Sequence, residues 1–121
     1  MTIKFDNNIP IYIQLVEQIK IDIISSKIKS GERLPSVRDF ALEMKVNPNT
    51  MQKALQELEE LKLIYTERTN GKFVTEDQKL IDKYKKQYAD ELSKKFFQNM
   101  KSIGYSKEET INYLKMIGGN K

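Results

Sequence analysis

The run Val46-Asn47-Pro48-Asn49-Thr50-Met51-Gln52-Lys53 gathers amides, one hydroxyl and one ammonium. These groups give and take hydrogen bonds readily but are poor nucleophiles and proton carriers. Asn47 is a helix N-cap type, and Pro48 suits the first helical position, where its missing N–H leaves nothing unpaired. A helix opening here exposes Asn49, Thr50, Gln52, Lys53 and Gln56 around its mouth, with no acid among them. Glu57, Glu59 and Glu60 crowd the far end instead. A helix amino terminus offers unpaired N–H groups and partial positive charge, both suited to phosphate. Acid near the carboxyl end is unfavourable to the helix itself, so local stability does not explain the sorting. The chemistry implied is recognition of a polyanion. Asn47 to Thr50 would also serve as a well-made cap and nothing more.

Guanidinium groups flank this run. Arg38 falls between the apolar residues Val37 and Phe40 and can point outwards. Arginine can bond a guanine edge or a phosphate with two parallel hydrogen bonds. The alternative for Arg38 is a surface ion pair with Asp39 or Glu43. Arg33 and Ser36 suit phosphate contacts, and Ser36 also suits a helix cap. Further on, Arg68, Asn70, Gly71 and Lys72 are candidates for the minor groove or its phosphates, or for a solvated hairpin tip.

Composition narrows the classes. The 121 residues contain no cysteine, which removes disulfides, thiol chemistry and zinc-thiolate sites. They contain no histidine, the commonest general base and metal ligand. The acids lie along solvent faces rather than near turns, so neither an enzyme nor a cofactor or metal site is expected. Apolar residues are 39% and charged residues 31%, as in a globular protein. No apolar run reaches the ~18 residues of a membrane span, and MTIKFDNN lacks a secretory pattern. A cytoplasmic location is expected. The net charge is +4, but residues 1–75 hold eleven basic against ten acidic residues. Any affinity for nucleic acid must therefore come from where charges point.

The elements follow from periodicity. Tyr12, Leu15, Val16, Ile19, Ile23 and Ile24 form a stripe that predicts a helix over 10–27, capped by Asn8. Ser36 with Asp39 resembles a capping box for a second helix, whose buried face is Val37, Phe40, Ala41 and Met44. After Lys45 and Val46 the third helix begins, with Met51, Ala54, Leu55, Leu58 and Leu61 inwards. Leu63 to Thr66 and Lys72 to Thr75 read as two short strands, joined at Asn70-Gly71, both of which can take positive φ. Helix, helix, tight turn, helix, hairpin is a winged helix-turn-helix order, assigned to residues 1–75.

Residues 76–121 form a two-helix tail with a linker at 76–78. Leu80, Tyr84, Tyr88, Leu92, Phe96, Met100 and Ile103 recur at steps of three and four, making one long amphipathic helix. Ser106 to Glu109 is a capping box for a last helix with Ile111, Leu114 and Ile117 on one face, closed by Gly118-Gly119. Such a tail cannot bury its own aromatic stripe, so dimerisation with a second copy is expected. The fold class is mainly α with a small β-hairpin: a winged helix-turn-helix domain followed by a two-helix dimerisation tail.

The run from Pro10 to Val74 resembles the amino-terminal domain of GntR-type bacterial transcription regulators. The resemblance rests on Pro10-Ile11-Tyr12 with Gln14, Gly31 before Leu34-Pro35-Ser36 and Arg38, Val46 to Thr50, Leu58-Glu59, and Gly71 before Phe73-Val74. The short tail resembles the YtrA-type branch, whose members are small dimeric repressors, often of transporter operons. The resemblance implies that Arg33, Arg38, Asn49, Thr50, Gln52 and the wing around Gly71 fall where the family touches DNA. Lys62 stands where the family usually has glycine after the third helix, and Thr69 replaces the first of two wing glycines.

The expected function is a homodimeric, sequence-specific DNA-binding repressor on a palindromic operator. Its partners would be double-stranded DNA and its own second copy, with no membrane. A winged-helix protein-interaction module without DNA readout is the alternative. A third reading gives the tail a small-molecule effector in a cleft near Tyr84 and Tyr88. Operator, regulated genes, effector, and repression as against activation are not encoded legibly.

Overall fold

A computed structural model describes residues 4–119. The absence of a secretory pattern, read in part from Met1, Thr2 and Ile3, therefore bears on residues outside those described. The elements in order are α1 (Ile11–Ile24), α2 (Val37–Met44), α3 (Pro48–Glu60), β1 (Ile64–Glu67), β2 (Gly71–Val74), α4 (Gln78–Ser102) and α5 (Lys107–Gly118). No helix among the described residues is long and apolar enough to cross a membrane. The chain divides into two compact units, one up to Tyr84 and one from Lys85.

In the first unit α3 is the central element. Leu15, Ile19 and Ile23 of α1 and Phe40, Ala41 and Met44 of α2 are buried with Met51, Ala54, Leu55 and Leu58 of α3. Leu63, Ile64 and Val74 close the core from the hairpin. Val37, expected inside, is only half-buried at the first residue of α2.

The α2–α3 turn is as short as its sequence suggests. Lys45 takes a left-handed φ of 59°, and the Val46 N–H returns to the Ala41 carbonyl at 3.0 Å. The turn thus pairs carbonyls at the end of α2 before Asn47 starts α3. Lys62 repeats the device after α3, with φ 66° and the Leu63 N–H donating to Leu58 at 3.0 Å. The glycine geometry survives there with a lysine in it.

Three local expectations are corrected. Asn8 does not cap α1; Pro10 occupies that position without a side-chain bond. Gln14 organises the start instead: its Oε1 accepts from the Asp6 N–H at 2.7 Å, and its Nε2 donates to the Asp6 and Ile9 carbonyls at 2.7 and 2.8 Å. The helix also ends at Ile24, short of Lys27, because Ser26 turns to φ 65° and the Ile28 N–H closes onto Asp22 at 2.9 Å. At the wing tip only Gly71 has positive φ, at 103°, and Asn70 does not. The Asn70 N–H bonds the Glu67 carbonyl at 3.2 Å, so the loop is a turn over 67–70 followed by a glycine bulge.

Asp22 is fully buried on α1. Gln18 donates to its Oδ1 at 3.1 Å, while Oδ2 has no partner among the described residues. Burial pushes its carboxyl above the ordinary value, against the lowering by Gln18 and the Lys27 charge.

Asp77 caps α4, accepting from the Leu80 N–H at 3.2 Å. Ile81, rather than the half-buried Leu80, is the buried residue of this helix. The Tyr84 hydroxyl donates to the Leu61 carbonyl at 3.3 Å, which engages it inside the first unit. In the second unit the Ser106–Glu109 capping box forms in both directions at 3.0 Å. The Tyr105 and Tyr113 rings meet at 5.8 Å, and buried Thr110 donates to the Ser106 carbonyl at 2.8 Å.

Candidate nucleic-acid interface

The mouth of α3 faces solvent. Asn47, Asn49, Gln52, Lys53 and Gln56 are exposed and Thr50 is half-buried. Asn47 Oδ1 accepts from the Asn49 N–H at 2.8 Å, so the Asn47 carbonyl group is engaged as the cap while its NH₂ stays outward. Ser36 Oγ similarly accepts from the Asp39 N–H at 3.1 Å, which leaves its hydroxyl proton to donate. Only this half of the box proposed for α2 forms.

Arg38 is exposed on α2, and among the described residues it pairs with neither Asp39 nor Glu43. The surface-pair alternative is thereby removed. An unpaired guanidinium on the helix preceding α3 keeps all its donors for an external acceptor.

A second cluster gathers across the sequence. Arg33, Ser36, Arg68, Asn70, Gly71 and Lys72 line one cleft between the start of α2 and the wing. The backbone builds it: the 31–34 segment runs antiparallel to β2, with the Gly31 N–H on Val74 at 3.0 Å, the Val74 N–H on Glu32 at 2.9 Å and the Leu34 N–H on Lys72 at 2.8 Å. Arg33 then lies over the bulge glycine. A Cβ at Gly71 would sit 3.4 Å from Arg33 Nε, an ordinary contact, so it is the positive φ of 103° that calls for glycine here.

The wing's own charges are partly engaged. Lys72 Nζ is 3.2 Å from Glu59 Oε1 and 2.9 Å from Thr66 Oγ1, while the Thr66 hydroxyl also donates to Glu59. Burial would raise the Glu59 carboxyl, but the Thr66 hydroxyl and the Lys72 ammonium outweigh it and hold the group below its ordinary value. Lys72 therefore joins the wing to α3 instead of projecting freely. Asn70 Nδ2 donates to Glu67 at 3.0 Å. Arg68 and Arg33 are the wing-side cations that form no ion pair among the described residues.

Tyr12, which the sequence places on an apolar stripe and in the Pro10-Ile11-Tyr12 run, has a further contact. Tyr12 is half-buried, and its ring lies 3.9 Å from Lys53 Nζ. With Ile11, Asn49, Thr50 and Lys53 it lines a shallow groove at the α3 mouth. Its place on the first turn of α1, rather than mid-helix, was the available signal.

On the second unit, Leu92, Phe96, Ile103, Ile111 and Leu114 are exposed, while Tyr88 and Met100 are half-buried. No group of histidine, cysteine or carboxylate side chains among the described residues is arranged to hold a metal.

A third helix crossing a short helical pair, presented outwards and flanked by a two-stranded wing, defines a winged helix-turn-helix protein. The profile of the bacterial regulatory proteins of the gntR family matches residues 11–74. The chain is 36% identical over 112 residues to the HTH-type transcriptional regulator YhcF of Bacillus subtilis, covering 93% of each chain. It is 41% identical over 70 residues to the HTH-type transcriptional repressor YtrA of the same organism, covering 58% of this chain and 54% of that one. Among solved structures, a GntR family transcriptional regulator from Listeria monocytogenes superposes with a TM-score of 0.83 at 39% identity, over 93% of this chain and 98% of the other. The chain belongs to the gntR family of bacterial regulatory proteins, and is a DNA-binding transcriptional regulator rather than an enzyme.

Proposed function

We propose that the chain acts as a homodimeric repressor that reads a palindromic operator with two copies of α3 and the wing. The observation that carries the reading is the exposed, acid-free mouth of α3 beside an unpaired Arg38. In this reading Asn49, Thr50, Gln52 and Gln56 meet base edges, while Lys53, Ser36 and the Asn47 NH₂ meet phosphates. Arg33, Arg68, Asn70 and Gly71 approach the minor groove, with Lys72 holding the wing to α3 behind them. The Glu57–Glu60 end stays away from the duplex.

The homodimer is supported by the apolar surface of the second unit. Leu92 is 66%, Ile103 70%, Met116 63% and Ile117 58% exposed. Exposed apolar side chains in this number suit an interface with a second copy, and two-fold pairing suits operators with half-sites about 34–36 Å apart or a multiple. Repression, and control of a transporter-type operon, rest on the likeness to the YtrA-type branch; the relative YtrA carries the description of a repressor.

Fluorescence anisotropy tests the reading. A fragment selected from genomic DNA is compared with a scrambled duplex at two salt concentrations. Preference for the selected fragment, with affinity falling steeply as salt rises, is expected, each phosphate contact adding about 0.9 to the log–log slope. Equal affinity for both duplexes would remove the sequence-specific part and leave an interaction module.

A further inference from the structure

Lysine at 53 has an obvious intrahelical neighbour in Glu57, four residues on, yet the two form no ion pair among the described residues. Lysine before glutamate is the weaker order for such a pair, which leaves the ammonium open to a competitor. That competitor is Tyr12, whose ring centroid lies 3.9 Å from Lys53 Nζ, within cation–π range.

The two side chains separate two shallow grooves of opposite character. On one side Ile11, Asn49 and Thr50 join them at the α3 mouth. On the other, Gln56, Glu57 and Glu60 join them toward the acidic end. The ring thus holds the ammonium at the boundary, clear of the carboxylates. Tyr12 is itself held in place, because Gln14 ties the start of α1 to the Asp6 and Ile9 backbone through three hydrogen bonds of 2.7–2.8 Å.

Resting on the DNA-binding reading above, we infer that Tyr12 is a positioning residue, whose ring holds Lys53 toward the phosphate backbone beside the recognition helix. A lysine on a bare helix surface samples many rotamers and loses that freedom on binding. A lysine already seated on a ring loses less, and the ring still leaves ammonium protons free for a phosphate oxygen. The arrangement also explains a tyrosine at a half-exposed position of α1, where an aliphatic residue would complete the stripe equally well.

The test uses the full chain with its selected duplex and reads the salt dependence of affinity. Lys53→Gln lowers the log–log slope by about 0.9, one phosphate contact. Tyr12→Leu lowers it by the same amount, Tyr12→Phe leaves it at the wild-type value, and Tyr12→Leu with Lys53→Gln falls no further than either single change. Thermal melts of each variant separate folding loss from loss of contact, since destabilisation alone leaves the slope of the folded protein unchanged. A wild-type slope in Tyr12→Leu or in Lys53→Gln overturns the inference. So does a Tyr12→Phe slope that falls with Tyr12→Leu, because the hydroxyl rather than the ring face then holds the ammonium. Wild-type protein that fails to prefer the selected duplex removes the DNA-binding reading instead, so the two failures are distinct.

Discussion

Lys72 and Glu59 meet at 3.2 Å, tying the wing strand β2 to the last turn of α3. The acidic end of the recognition helix therefore has a structural use, since one of its carboxylates anchors the hairpin. Thr66 from β1 shares the same oxygen. This ion pair links the wing to the helix it accompanies.

Glu59→Gln tests that anchor. The native carboxyl lies below its ordinary value, so its contribution to stability is present at neutral pH and is lost as pH falls through the native value. The variant is expected to be less stable at pH 7 by about 0.5–1 kcal/mol, the range for a partly exposed pair. The difference should shrink as pH falls below the ordinary carboxyl range. Thermal melts across pH measure it, and a difference that grows in acid would contradict the assignment.

Asp22 carries the opposite sign. Its carboxyl is raised by burial, so the folded state favours the neutral form, and stability declines as pH rises above the ordinary carboxyl range. Asp22→Asn removes that decline while keeping an acceptor for Gln18. Melts of the two proteins should converge in acid, with the variant ahead at neutral pH. Parallel curves across the whole range would show that Asp22 is not the source.

Lys62 holds a left-handed backbone with φ 66° where glycine would be unstrained. Lys62→Gly should stabilise the first unit by about 1 kcal/mol, or roughly 4–8 °C for a domain of this size. A lower midpoint would mean that the lysine side chain makes a compensating contact.

Phe96 is 39% exposed on the tail face read as the dimer interface. Phe96→Glu should shift the sedimentation coefficient to that of a monomer. It should also weaken operator binding more than tenfold, since each half-site then binds alone. An unchanged sedimentation coefficient would rule out this face as the interface.

Much of the architecture was legible because it rests on short-range chemistry. Pro48 after Asn47 and the Ser106–Glu109 pair act through bonds spanning two or three residues, and both form as read. What escaped depends on tertiary partners. Gln14 displaced Asn8 as the organiser of α1 because the preceding chain folds back onto it, which no cap motif encodes. Periodicity put Leu80 on the apolar face of α4, whereas packing inside the first unit buries Ile81, one position along. Asn70 looked like the first half of a two-residue turn, but the loop began at Glu67 and left only Gly71 with positive φ. The candidate site residues were proposed from sequence by their chemistry. The Tyr12–Lys53 contact was not, because it joins two helices 41 positions apart in number.

The account rests on two outward-facing copies of the α3 mouth meeting one duplex. Hydroxyl-radical footprinting on the promoter upstream of the protein's own gene tests this most directly. The account predicts protection in two symmetric half-sites about 34–36 Å apart or a multiple, lost together in Arg38→Ala. Protection of one unrepeated stretch, or a footprint that Arg38→Ala leaves intact, would contradict it.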